Sequence, residues 1–223
     1  MNYLQLTNDY LIDTGAGDPI GSVVGQSDEY LQGTTWIADA WVELQRNRNW
    51  GFRWAEGTFD TVLGQSAYAL VDLSRVAGDD FDMKSFYYPV DGGGSTPLTP
   101  VEPHVLRAAL SASGATQGTP RYISRYPDGS LRLYPTPDSV ATIKYEYFGA
   151  PIVLVADLDT PTLDPKFHKA IVWKAVEQYA REQGKEWSAL YQAAIRNFNA
   201  IYSQMLNQET GRVYRAPSPF THR

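Results

Sequence analysis

The hydrophobic period of this chain changes twice along its length, and that double change limits the folds open to it. Up to about Arg48 apolar residues recur every three or four positions. From Trp50 to Phe148 they fall instead in short β-branched or aromatic runs separated by Gly, Ser, Pro and Asp. From Leu163 the helical period returns. Helices at both ends of a chain bury their stripes most economically against one another, which leaves the strands as an insertion. The expected fold is therefore α+β: a helical bundle from the N-terminal and C-terminal helices (residues 1–49 and 158–208), an inserted antiparallel β-rich lobe (50–157), and an extended C-terminal arm (209–223).

Local signals set the elements. Asn2 to Asp13 places Tyr3, Leu6 and Tyr10 at helical spacing and stops at Gly15-Ala16-Gly17. A second helix starts near Ser27, an N-cap followed by Asp28 and Glu29 at the positive end of the dipole. It carries Tyr30, Thr34, Ile37, Trp41 and Leu44 as one stripe, with Gly33 weakening its first turns. In the middle, Gly57 to Leu63, Tyr68 to Leu73, Phe81 to Tyr88, Arg121 to Tyr126, Leu131 to Tyr134 and Thr142 to Phe148 read as strands, with Pro127-Asp128-Gly129 as a tight turn. Pro89 to Pro103 has no period and reads as an exposed, mobile loop, followed by a short helix over His104 to Ser113. Asp164 and Pro165 cap and open a helix that Gly184 ends. A last helix carries Trp187, Leu190, Tyr191, Ala194, Phe198, Ile201 and Met205 on one face and ends near Gly211.

Charge and composition exclude several functions. A net charge of -6 lacks the clustered Lys and Arg that neutralise a phosphate backbone, so tight DNA binding is not expected. The absence of Cys removes disulfides, thiolate nucleophiles and Cys-ligated metals, and fits synthesis in a reducing cytoplasm. MNYLQLTNDYLIDTG is no signal peptide, and no run is long enough for a membrane anchor, so a soluble chain assembled in the cytoplasm is expected.

Catalytic patterns are missing as well. His104, His168 and His222 form no HxxxH or HxxE pair, Gly92-Gly93-Gly94 is followed by no Lys-Ser/Thr, and Ser66 in GQSAY lacks the flanking glycines of a nucleophile elbow. Carboxylates are frequent, at Glu56 and Asp60, at Asp79, Asp80 and Asp82, and at Asp157 and Asp159. A glycosidase would need two of them across a cleft. The expectation is no catalytic residue, no metal and no cofactor. Six Trp and fifteen Tyr are the more informative excess, since these residues serve cores, sugar stacking and subunit interfaces alike. The tail GRVYRAPSPFTHR carries Arg212, Arg215 and Arg223 with no acid. It reads either as a frayed terminus or as an arm laying Val213, Tyr214 and Phe220 on a partner.

The order of these features resembles the head-to-tail adaptor, or connector, proteins of tailed bacteriophages. The resemblance rests on NYLQLTNDYLIDTG, on WIADAWVELQRNRNWGFRW from Trp36 to Trp54, on LRLYPTPD followed by IKYEYFGAP, and on LDTPTLDPKFHKAIVWKAVEQYARE from Leu158 to Glu182. It implies a structural virion protein at the neck: a homo-oligomeric ring, usually dodecameric, between the portal protein and a lower neck, nozzle or tail-tube protein, with DNA passing through its channel without specific binding. Arg212, Val213, Tyr214, Arg215, Pro217 and Phe220 stand where the portal-docking arm would be. Trp36, Ile37, Trp41, Leu44, Ile171, Tyr179, Trp187 and Phe198 stand where bundle and subunit packing would be. The alternatives are a cell-wall glycoside hydrolase and a carbohydrate-binding tail component.

Overall fold

Helix α1 (Tyr3–Thr14) opens on a capping box: the Asn2 side chain accepts from the Gln5 N–H while the Gln5 side chain accepts from the Asn2 N–H. It closes on Gly15, whose φ of 65° is the left-handed C-cap that glycine adopts without a Cβ clash. Helix α2 (Asp28–Arg46) starts after Ser27 as the sequence predicts, but the serine hydroxyl donates to Asp28 Oδ2 and makes no capping bond. The structure, a computed structural model, describes residues 1–69, 85–90, 94–112, 116–185 and 187–213.

The chain divides into two units, Met1–Phe52 with Pro151–Arg223, and Arg53–Ala150. In the first, α1 and α2 are joined by α4 (Lys169–Glu182) and α5 (Ala189–Val213). Helix α4 packs against all three of the others, and its Ala170, Ala175 and Ala180 are fully buried, small enough to let neighbours approach. Leu6, Tyr10, Ile37, Trp41, Leu44, Ile171 and Val176 fill the same core. Each fully buried aliphatic side chain of this kind contributes about 1.5–3 kcal/mol. Gly33 has a packing reason: a Cβ there would meet the Tyr10 ring at 2.9 Å. At the start of the returning half, Asp164 accepts from the Lys166 N–H and Pro165 opens a 3₁₀ turn that leads into α4.

The second unit holds β1 (Trp54–Asp60), β2 (Ala67–Tyr68), β3 (Tyr87–Val90), β4 (Gly94–Pro97), β5 (Thr99–Pro100), helix α3 (Pro103–Ala112), β6 (Tyr122–Arg125), β7 (Leu131–Tyr134) and β8 (Thr142–Phe148). One sheet has the order β1-β8-β3-β4, the other β2-β7-β6-β5. Among the described strands, all pairings are antiparallel except β5 with β6. The β1–β8 ladder runs from Trp54 opposite Phe148 to Asp60 opposite Thr142. Phe86, Tyr88, Ile143 and Tyr145 join Tyr68, Ile123, Leu131 and Leu133 in a second apolar core. Gly57 lies opposite Tyr145, whose ring occupies the space a Cβ would take. The Pro127-Asp128-Gly129 turn forms as expected, with Gly129 at φ 81° and Asp128 Oδ1 accepting from the Ser130 N–H and hydroxyl.

Three expectations change. The stretch Pro89 to Pro103 is not one structureless loop, because it supplies the end of β3 and all of β4 and β5. Its prolines misled the reading: Pro97 and Pro100 sit in β4 and β5, the edge strands, where a missing N–H costs no ladder bond. The extended arm does not begin at 209, since α5 continues to Val213. Trp187 is no part of the last helix: Ser188 Oγ accepts from the Tyr191 N–H, α5 starts at Ala189, and Trp187 is 93% exposed. Residues 70–73 and 81–84 of the expected strands lie outside the described residues.

Candidate functional site

The root of the expected arm is held by aromatic packing. The Trp50 indole is buried, donates its Nε1–H to the Leu44 carbonyl at 2.7 Å, and stacks on Phe52 with ring centres 5.9 Å apart. Phe52 stacks in turn on Trp41 at 5.7 Å. From α5, Tyr202 meets Trp50 edge-on at 5.7 Å and stacks on Phe198 at 5.4 Å. One turn before the end of α5, Glu209 Oε2 accepts from the Gly51 N–H at 3.0 Å. A cavity of about 300 Å³ opens beside this cluster, bounded by Trp50, Phe52, Phe167, Met205 and the carboxylates of Asp164 and Glu209. Backbone N–H donation from Lys166 and the nearby Lys166 ammonium hold the Asp164 carboxyl below its ordinary pKa. The sequence reading assigned none of these anchoring contacts, although the aromatic spacing Trp50, Phe52, Trp54 ahead of the period change was a visible signal.

Of the packing residues named from sequence, Trp36, Ile37, Trp41, Leu44 and Ile171 lie in the bundle core, and Tyr179 and Phe198 pack at its margin. Tyr10, Trp36 and Tyr179 meet edge to face at 5.7–6.1 Å between centres. Trp187 stands apart from them in solvent. Of the arm residues, Arg212 and Val213 fall in the last turn of α5, and Tyr214, Arg215, Pro217 and Phe220 lie outside the described residues.

A salt-bridge network ties α4 to α2: Lys174 Nζ is 3.0 Å from Glu43 and 3.3 Å from Glu177, which Arg181 also contacts at 2.6 Å. Burial works against the lysine charge, but the two carboxylates more than offset it and raise its pKa. At the base of the lobe, buried Arg53 donates through Nε and Nη2 to the Gly149 carbonyl at 2.9 and 2.7 Å, while its own carbonyl accepts from the Gly149 N–H. The pairing between strands β1 and β8 is thereby extended one residue beyond Trp54 and Phe148.

Among the described residues, the carboxylates weighed for hydrolysis are not gathered. Glu56 and Asp60 project to solvent from β1, and Asp60 accepts from the Thr142 hydroxyl. Asp157 and Asp159 accept backbone N–H groups in turns. Asp79, Asp80 and Asp82 lie outside the described residues. His168 is buried between Met1 and Leu163, and His104 lies in the first turn of α3. Among the described residues no helix is long and apolar enough to cross a membrane.

No curated protein matches the chain. The SU10 adaptor protein family matches residues 1–222. It is a family of phage head-to-tail adaptors, structural proteins of the virion neck that contact other head and tail proteins, and it is not a family of enzymes. Two helical segments bracketing a β-rich insertion, with an α5 anchored by aromatics, are the structural form of that role here, and the chain belongs to the SU10 adaptor protein family.

Proposed function

We propose that the protein forms a ring, dodecameric as the resemblance implies, between the portal protein and the lower neck, nozzle or tail tube, and that this ring extends the DNA channel. The observation that carries the reading is the adaptor family match over residues 1–222. A closed ring needs two different lateral surfaces on each subunit, related by rotation. Surface apolar residues on the bundle unit, Trp187 and Leu158 foremost, supply material for such contacts. The net charge of -6 suits a channel that releases DNA, because like charge repels phosphate within a Debye length of about 8 Å. In this reading the segment from Arg212 through Val213, Tyr214, Arg215 and Pro217 to Phe220 docks on the portal, using its cations and two aromatic anchors. The anchored end of α5 sets where that segment leaves the bundle.

The test is cryo-electron microscopy of the chain co-expressed with the portal protein of the same genome, beside a chain ending at Val213. That end point keeps α5 and the Glu209 contact intact. The expected result is a twelve-subunit ring on the portal for the full chain and none for the shortened one. A ring formed equally by both would remove the arm from portal docking, and association by neither would sink the portal reading.

A further inference from the structure

One stretch of the lobe, between Glu102 and Asp138, is rich in cations although the chain is acidic. From Pro103 to Pro137 the chain has Arg107, Arg121, Arg125 and Arg132 against a single carboxylate, Asp128. Two of the four converge on one ring: the Arg132 guanidinium carbon lies 3.9 Å from the centre of Tyr126, and that of Arg107 lies 5.8 Å from the same centre. Tyr126 is itself buried, its hydroxyl donating to the Pro103 carbonyl at the start of α3. Arg107 comes from α3 and Arg132 from β7, so helix and sheet together fix the pair.

Arg107 is exposed and Arg132 half-buried. No described carboxylate forms an ion pair with either one. Asp128 lies within the electrostatic reach of Arg132 but directs its Oδ1 to Ser130. The Arg132 Nε–H is buried with no acceptor among the described residues. Directly across the β6–β7 ladder sits Ser124, fully buried, with a hydroxyl that also has no partner. Residues directly opposite in an antiparallel pair share a face, so Ser124 and Arg132 leave the sheet on the same side. A buried donor without an acceptor is costly, and buried polar groups in native proteins nearly always have a partner. A carboxylate brought to the Arg132 guanidinium supplies an acceptor of the kind that group lacks.

We propose that Arg107 and Arg132, held on the Tyr126 ring, form a binding site for a carboxylate carried by an acidic segment of a partner head or tail protein. A guanidinium fork matches one planar carboxylate in a bidentate way. A DNA backbone is the poorer match, since it calls for a row of cations on a protein that is negative overall. Only the identity of the partner class rests on the adaptor role; the site itself rests on the lobe geometry.

The experiment is NMR of the full chain labelled with ¹⁵N-arginine, following the Nε–H resonances. The probes are the blocked peptide Ac-Gly-Glu-Glu-Gly-NH₂, inorganic phosphate and a short DNA duplex, each added separately. The peptide is expected to shift the Arg107 and Arg132 resonances saturably. Arg132→Lys keeps the charge but loses the fork, and should weaken peptide binding by roughly tenfold, read at Arg107. Arg107→Gln, on the exposed face of α3, should weaken it as well without touching the fold. The proposal is overturned if the peptide leaves both resonances unmoved, if neither substitution changes its affinity, or if only phosphate or the duplex binds. None of these outcomes bears on ring formation at the portal, which the microscopy decides separately.

Discussion

Both ring nitrogens of His168 have a defined partner. Its ring is fully buried, with Nδ1 2.8 Å from the Met1 amino nitrogen and Nε2 2.9 Å from the Leu163 carbonyl oxygen. Both contacts are met by the neutral tautomer that carries its proton on Nε2. Burial lowers the pKa; the Leu163 carbonyl opposes that shift and the adjacent ammonium adds to it. The unfolded imidazole titrates near 6.5 and the folded one below that. As pH falls through this value the unfolded state binds a proton first, so the contribution of His168 is complete above it and declines below it. The stability advantage of the wild type over His168→Gln should therefore shrink between about pH 7.5 and about pH 5.5, measured by urea unfolding at each pH. A difference independent of pH would show that the imidazole is not kept neutral by the fold. The sequence identified this residue only as a histidine near a helix start without a ligand pattern. One of its two partners is Met1, 167 positions away, and no local pattern encodes that contact.

At the scale of elements, the segment returning from the lobe has little regular structure yet fixes the start of the bundle. The Asp157 carbonyl accepts from the Leu4 N–H at 3.2 Å and the Asp159 carbonyl from the Tyr3 N–H at 2.8 Å, satisfying first-turn donors of α1 that have no partner within the helix. The Asp157 carboxylate accepts from the Val23 N–H at 2.6 Å and the Ser22 hydroxyl at 3.1 Å. One residue thus joins α1, the connection before α2, and the chain leaving the lobe. Asp157→Ala removes the acceptor of two part-buried hydrogen bonds and should cost about 1–3 kcal/mol, with faster amide exchange at Val23. A loss under about 0.5 kcal/mol would mean that solvent replaces the carboxylate there. The helices and the Pro127-Asp128-Gly129 hairpin were legible because period, caps and turn residues are local properties. The edge strands were not, since a proline weighs against a strand until its place at the sheet edge is known. The clamp made by Asp157 was equally hidden, because its partners are more than a hundred residues distant.

For the whole molecule, the distribution of tryptophan separates packing within a subunit from packing between subunits. Trp36, Trp41 and Trp50 are buried in the bundle core, while Trp187 is 93% exposed on the same unit. Helical spacing put Trp41 and Trp187 on equal footing; only the start of α5 at Ala189 distinguishes them. Solvent exposure of so large an apolar surface is unfavourable for an isolated subunit and useful at an interface, where Trp is enriched. In the proposed ring Trp187 lies in a lateral contact. Trp187→Ser should then leave the unfolding free energy within about 0.5 kcal/mol of wild type while lowering the fraction of complete rings on the portal, counted by cryo-electron microscopy. Trp41→Ala provides the contrast, because removing a fully buried indole should cost about 3–5 kcal/mol and deplete rings through loss of folded subunit. Rings of normal abundance with Trp187→Ser would exclude that residue from the subunit contact. Ring loss with unchanged stability would assign it there, because a defect confined to the core cannot reduce assembly without first appearing in the unfolding curve.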